Sequence, residues 1–295
     1  MQIEGRIIKG KGSVYIVKAE DKYYTCAARG IFRKNKITPL PGDVVDITPI
    51  ACNTDEYSAS LDNIHERKNS LIRPPIANLD KLFIVVSPNP PPNYERIDKQ
   101  TVIAADQNIG CAVIINKTDI DDGTAQKTYD IYTKCGVEVF TVSALTGEGI
   151  ANLINTIGDD KIYAFCGSSG VGKSSLMRAF NPQYDVEIGE LSAKIERGKN
   201  TTRHVELFSF GNSYIADTPG FDFLDLNFFD SIDKENLIFN FIEFEPYIGK
   251  CRFSKCTHRI NSDGCAIRAA VEVGDIPPSR YESYISLYDE IKKEF

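Results

Sequence analysis

The sequence predicts three successive regions: a small all-β barrel over residues 1–66, an α/β domain over 67–225, and a mainly α segment over 226–295. Three observations point to them. The first stretch holds short runs rich in β-branched and aromatic residues, separated by turn signals. From Leu79 onward, continuous apolar runs alternate with helical stretches, the pattern of a sheet covered on both faces. Late in the chain, Cys251, Cys256, His258 and Cys265 gather in one short segment.

Bulk properties bound the reading. The 295 residues suffice for two or three hydrophobic cores, and 42% hydrophobic with 25% charged residues is an ordinary globular composition. No apolar run approaches the length of a membrane span, and Met1-Gln2-Ile3-Glu4-Gly5-Arg6 is no signal peptide. A cytoplasmic protein without membrane association is expected. The net charge of −7 argues against a protein that coats nucleic acid. Residues 1–36, however, carry nine bases against three acids. A local basic face can bind phosphate backbones on an anionic molecule, and a solvated strand face explains the same residues equally well.

In order, Gly5–Lys9, Ser13–Val17, Lys22–Ala27, Val44–Thr48 and Ser60–Ile64 read as five strands, with turns at Gly10-Lys11-Gly12, Glu20-Asp21 and Pro41-Gly42-Asp43. Five strands in so short a stretch suggest a closed barrel of OB-fold type, an SH3-like barrel being the alternative. Residues 67–78, with Pro74-Pro75, read as a linker. Then come a strand at Leu82–Val86, a helix at Tyr94–Gln107, a strand at Cys111–Ile115, a helix at Gln126–Lys134, a strand at Val137–Val142 and a helix at Ile150–Ile157. Ile162–Cys166 reads as a buried strand, Ser175–Phe180 as the start of a helix, and Val205–Phe210 with Ser213–Ala216 as a hairpin around Gly211-Asn212. Tyr281–Phe295 reads as a closing amphipathic helix.

The chemistry sits at the strand ends. Gly167-Ser168-Ser169-Gly170-Val171-Gly172-Lys173-Ser174-Ser175 fits G-x-x-x-x-G-K-[ST] between a strand and a helix, the context of a phosphate-binding loop. Its backbone N–H groups can face phosphate oxygens, Lys173 can reach the β- and γ-phosphates, and the Ser174 hydroxyl can ligate Mg²⁺. Asn116-Lys117-Thr118-Asp119 reads guanine. The Asp119 carboxylate can accept from both N1–H and N2–H₂ of that base, a pair adenine does not offer. Lys117 can lie along the base, Asn116 can brace the loop, and Ser143-Ala144-Leu145 can offer a backbone N–H to guanine O6. Asp217-x-x-Gly220 places a carboxylate near Mg²⁺ and a glycine N–H by the γ-phosphate. Thr201-Thr202, with Thr202 the expected ligand, can close a hydroxyl over the metal. Each tetrapeptide is weak alone; all together specify GTP with Mg²⁺. The four late ligands Cys251, Cys256, His258 and Cys265 match a closed tetrahedral zinc site, structural because no coordination position stays open. The remaining cysteines are scattered and suit buried thiols.

The motif order departs from the usual GTPase, since the guanine-reading loops precede the phosphate loop. That order resembles the circularly permuted GTPases. The whole chain resembles the ribosome small subunit-dependent GTPase A family, built as an OB-fold, a circularly permuted α/β P-loop GTPase domain and a mainly α zinc-binding domain. The cysteine and histidine spacing, unlike the usual finger, matches that family too. The resemblance implies hydrolysis of GTP to GDP and phosphate, stimulated by the small ribosomal subunit during its late maturation, with rRNA contact and one structural Zn²⁺; a monomer is expected. It also implies a switch histidine just before the paired threonines, where this chain has Asn200. Phe221 stands where many GTPases carry a water-orienting glutamine. Lys173, Thr202, Gly220 and Asn200 are therefore the expected catalytic set. A nucleotide-sensing rRNA-binding switch with negligible turnover is the alternative.

Overall fold

The computed structural model describes residues 1–50, 57–71, 74–180, 205–217, 226, 229, 231–259 and 263–291. The chain divides into two compact units, one of residues 1–81, 156–165 and 180–221, the other of 82–155, 166–179 and 222–295.

The first unit is built on a closed five-stranded barrel. Strands β1 (Ile3–Lys11), β2 (Val14–Ala19), β3 (Lys22–Ala28), β4 (Val44–Ile50) and β5 (Ser58–Ile64) pair in the cyclic order β1-β2-β3-β5-β4-β1. Only the β3–β5 pairing is parallel. This OB-like ring decides against the SH3-like alternative. A short helix α1 (Gly30–Lys34), absent from the sequence reading, bridges β3 and β4. Alternating inward residues Ile7, Val17, Tyr24, Cys26, Val45, Ile47 and Leu61 fill the barrel, as a two-residue side-chain period requires. Glu20 and Asp21 both adopt positive φ, the geometry of the tight turn that joins β2 to β3.

Residues expected as a linker instead form the ladder β6 (Ser70–Leu71) with β7 (Ile76–Ala77). Polar side chains replace a longer ladder there. The Asn69 amide accepts from Leu79 N–H at 2.9 Å and donates to the Leu79 carbonyl at 2.8 Å. Strand β1 also pairs with β12 (Glu206–Phe210), which forms an antiparallel hairpin with β13 (Ser213–Asp217). In turn β13 runs parallel to β11 (Ile162–Cys166).

The second unit holds the sheet order β10-β9-β8, from β8 (Lys81–Val86), β9 (Gly110–Ile115) and β10 (Glu138–Thr141). Its strands β8 and β9 are buried along nearly their full length, as their unbroken apolar sequences predict. Helices α2 (Tyr94–Asp106), α3 (Thr124–Lys134), α4 (Ile150–Ile154) and α5 (Lys173–Phe180) follow the order read from sequence. Further along lie two 3₁₀ turns, Leu237–Asn240 and Ile242–Tyr247, then α6 (Ala266–Glu272) and α7 (Pro278–Glu290). Helix α7 begins before the predicted Tyr281, because Pro278 is compatible with a first helical turn. Phe241, Phe244 and Tyr284 pack ring to ring between the 3₁₀ turns and α7. Beside them Arg280 ties α7 to α2 through Asp98 at 2.6 Å and reaches Glu243 at 2.6 Å. No helix among the described residues is long and apolar enough to cross a membrane.

Candidate functional site

The phosphate loop joins β11 to α5, and its glycines answer to specific neighbours. Gly167 has φ +132°, and a Cβ there would lie 2.1 Å from the Val85 carbonyl oxygen. Gly172 has φ +94°, and its Cβ would lie 2.3 Å from the Asn116 amide nitrogen. Both positions demand glycine on steric and conformational grounds. Lys173 opens α5 and turns its ammonium back into the loop, donating to the Gly167 carbonyl and, at 3.0 Å, to the Ser168 carbonyl. Ser169, Gly170, Ser174 and Ser175 are exposed, so their donors are available to a ligand; Val171 is buried and anchors the loop.

The base-reading loops meet this loop through two side chains, Asn116 and Lys117. Asn116, buried at the carboxyl end of β9, donates to the Val171 carbonyl at 2.9 Å and accepts from Ala144 N–H at 3.0 Å. It thus connects three separate motifs. Lys117, in a left-handed conformation, donates to the carbonyls of Gly170 and Asn89, the latter at 3.0 Å. Thr118 begins a short 3₁₀ turn whose N–H donates to Val142. The Asp119 carboxylate is exposed and accepts from the buried Ser143 hydroxyl at 2.6 Å, which fixes its direction while leaving acceptor capacity. Ala144 N–H serves Asn116 in this arrangement, so a guanine O6 would share or take over that donor. Leu145 lies exposed beside it. The structure therefore brings Asn116–Asp119, Ser143–Leu145 and Gly167–Ser175 into one constellation. Asn200, Thr201, Thr202, Gly220, Phe221 and the Asp217 side chain lie outside the described residues.

The late cluster is equally compact. Cys251, Cys256, His258 and Cys265 place one ligand atom each within 4.8 Å of one another. His258 Nδ1 lies 3.4 Å from Cys251 Sγ and 3.5 Å from Cys265 Sγ, and the two sulfurs are 4.0 Å apart. A tetrahedral Zn²⁺ with bonds of about 2.3 Å to sulfur and about 2.0 Å to nitrogen needs ligand separations close to these. Ala266 N–H donates to Cys251 Sγ at 3.3 Å, a contact that suits a thiolate. The donor set and spacing fit zinc. The Tyr281 hydroxyl fixes the His258 carbonyl at 2.7 Å, and Tyr284 the Thr257 carbonyl at 3.2 Å, so α7 holds the ligand loop.

Much of the basic character read in residues 1–36 has internal partners. Lys9 pairs with Glu206 at 2.7 Å, Arg6 with Asp160 at 2.8 Å and Arg29 with Asp62 at 2.8 Å. Lys18 donates to Ser209 at 3.2 Å. These pairings join residues as much as 197 positions apart, and no local pattern signals them. In the late segment, Lys250, Arg252 and Lys255 are exposed, and Arg252 lies over the Phe253 ring at 5.5 Å. Sequence reasoning also missed Arg96, whose guanidinium donates to Ser168 Oγ at 3.3 Å. An arginine on a helical stretch gives no signal of a contact with a loop 72 residues away.

Comparison with known proteins matches this geometry to one family. A model described as RsgA GTPase matches residues 64–227, and one described as RsgA N-terminal domain matches residues 4–55. A relative from Geobacillus sp. (strain WCH70), named small ribosomal subunit biogenesis GTPase RsgA, is 41% identical over 295 residues, covering 98% of each chain. One of the same name from Alkaliphilus metalliredigens is 39% identical over 293 residues, again covering 98% of each. The solved structure of YjeQ from Thermotoga maritima superposes with a TM-score of 0.80 at 30% identity, covering 100% of both chains. YloQ, described as a circularly permuted GTPase, gives 0.77 at 34% identity, covering 100% of this chain and 98% of its own. The chain belongs to the RsgA GTPase family.

Proposed function

From that membership we propose that the chain is a GTP hydrolase that binds the small ribosomal subunit and acts in its late maturation. The observation that carries the nucleotide assignment is the Asn116 side chain, which locks the guanine loop to the phosphate loop and to Ala144. Relatives named as small-subunit biogenesis GTPases support the rest. On this reading Asp119 selects guanine, residues 167–175 cradle the phosphates, and Lys173 exchanges its loop carbonyls for the β- and γ-oxygens. Ser174, with Thr202, would hold Mg²⁺, which when bound neutralises charge on the phosphates. Gly220 N–H would face the γ-phosphate, and Asn200 would orient water through its amide. Phosphoryl transfer asks mainly for positioning and charge neutralisation, so a general base is not obligatory. The cysteine–histidine cluster would hold one structural Zn²⁺. The chain would act in the cytoplasm as a monomer, through a barrel (1–66), a GTPase domain (67–225) and a zinc domain (226–295). Subunit rRNA would be met by cations of the first and last of these.

Asp119→Asn tests the base assignment. It should move preference from guanine toward xanthine nucleotides, because the donor–acceptor pattern inverts; unchanged GTP preference defeats the assignment. Phe221 and Asn200 favour a second reading, a nucleotide-sensing switch with negligible turnover. Phosphate release with and without small subunits separates the two.

A further inference from the structure

Helix α2 opens with a residue that does nothing for its own helix. Asn93 caps it, its side chain accepting from Arg96 N–H at 3.0 Å, so Arg96 stands at the third helical position. That position favours glutamate or glutamine, which can reach back to the cap, and the positive end of the helix dipole disfavours a cation. The side chain instead crosses to the phosphate loop and donates from Nη1 to Ser168 Oγ at 3.3 Å. Among the described residues its guanidinium has no carboxylate partner. The space beside it is a narrow cavity shared with Ser87, Asn93, Gly167 and Val171, where water screening is reduced. Ser168 is also the residue whose carbonyl accepts from Lys173. Two cations therefore hold one loop residue, Lys173 through its carbonyl and Arg96 through its hydroxyl. Lys173 must leave that carbonyl to reach a nucleotide; Arg96 has no such need.

We propose that Arg96 is a positioning residue for GTP hydrolysis. Its guanidinium fixes the first turn of the phosphate loop through Ser168 Oγ and keeps a positive charge behind the phosphates throughout the reaction. This inference rests on the reading of the chain as a GTP hydrolase. A preorganised charge in a partly desolvated place favours the state in which negative charge is redistributing over bound ground-state nucleotide. With Phe221 in place of a glutamine and Asn200 in place of the family histidine, such a fixed charge carries a larger share of the catalytic effect.

The test compares wild-type full-length chain with Arg96→Ala, Arg96→Gln and Arg96→Lys. It measures single-turnover GTP hydrolysis, and affinity for GDP alone and for GDP with aluminium fluoride as the transition-state probe. Arg96→Ala and Arg96→Gln should lower kcat on the order of tenfold, with KM and GDP affinity held within about twofold. Binding of the aluminium fluoride complex should weaken by the same factor as kcat, and Arg96→Lys should retain most of both. In a Ser168→Ala background, Arg96→Ala should cost less than it does alone, since the bond is already gone and only the charge remains to be lost. Full activity in Arg96→Gln would overturn the role of charge. Equal weakening of GDP and of the aluminium fluoride complex would mark Arg96 as structural only and sink the proposal. A wild-type chain that binds no GTP overturns the hydrolase reading and this inference with it; wild-type turnover matched by every Arg96 variant overturns this inference alone.

Discussion

The barrel and the late cysteine–histidine region use the same residue types for opposite ends. In the barrel, Arg6, Lys9 and Arg29 pair with carboxylates, and Cys26 lies fully buried with its thiol pushed up to about 12, first by burial and then by Asp62. In the late segment, three thiols converge on a histidine, while Lys250, Arg252 and Lys255 stand exposed around them. Arg6, Lys9 and Arg29 are fasteners, while Lys250, Arg252 and Lys255 stand open to a partner. Composition alone cannot separate those roles, because partners are set by the fold.

Four experiments test that contrast. The largest effect should come from the metal cluster. Structural zinc contributes on the order of 10 kcal/mol in small zinc domains, so Cys265→Ala or chelation should release the metal and open the 251–291 region. Hydrogen exchange should report that loss with barrel amides unchanged; protection maintained in 251–291 after metal removal would refute a structural role. Next is Arg280→Met, which leaves Asp98 and Glu243 buried without their cation. Burial already raises the Asp98 carboxyl despite Arg280, and breaking such a pair costs about 3–5 kcal/mol. Denaturant unfolding monitored in the second unit reads that cost, and a loss under about 1 kcal/mol would contradict it.

The third experiment sets Lys9→Met against Lys255→Ala. The first should lower stability by about 1–3 kcal/mol, because one partner of the largely buried Glu206 side chain goes, and should leave RNA affinity alone. The second should leave the melting temperature alone and reduce the salt dependence of small-subunit binding by about one counterion. Reversed results would exchange the roles assigned to these two lysines. The smallest effect is alkaline. An unfolded thiol ionises near 9.0 and folded Cys26 near 12, so the folded state retains a proton that the unfolded state gives up. Stability from this group is complete below about pH 9 and falls as pH rises toward about 12. Cys26→Ala should flatten that slope; an identical slope in the variant would show that other groups produce it.

Local chemistry in this chain is legible in the sequence, and distant pairing is not. The glycine loop, Asn116–Asp119 and Ser143–Leu145 converge, and the four Cys/His side chains cluster, because such short patterns encode local geometry. Strands β8 and β9 follow from unbroken apolar runs. What the sequence did not disclose are contacts distant in the chain. The β1–β12 pairing that gives Lys9 its partner, the Arg280 ion pairs and the Arg96–Ser168 bond join elements whose local patterns are ordinary. The β6–β7 ladder was hidden for another reason: prolines at 74 and 75 signal a break, while the order comes from the side chain of Asn69.

The absent side chain at residue 172 governs how genetic lesions in this site would manifest. A methyl group there would overlap the Asn116 amide, the side chain that joins the phosphate loop both to the Asn116–Asp119 loop and to Ala144. A lesion in the phosphate loop would then surface as blurred discrimination between purines as well as poorer triphosphate retention. The two halves of the site cannot be dissected through that glycine. Lys173 and Asp119, which touch only one half each, are the separable handles.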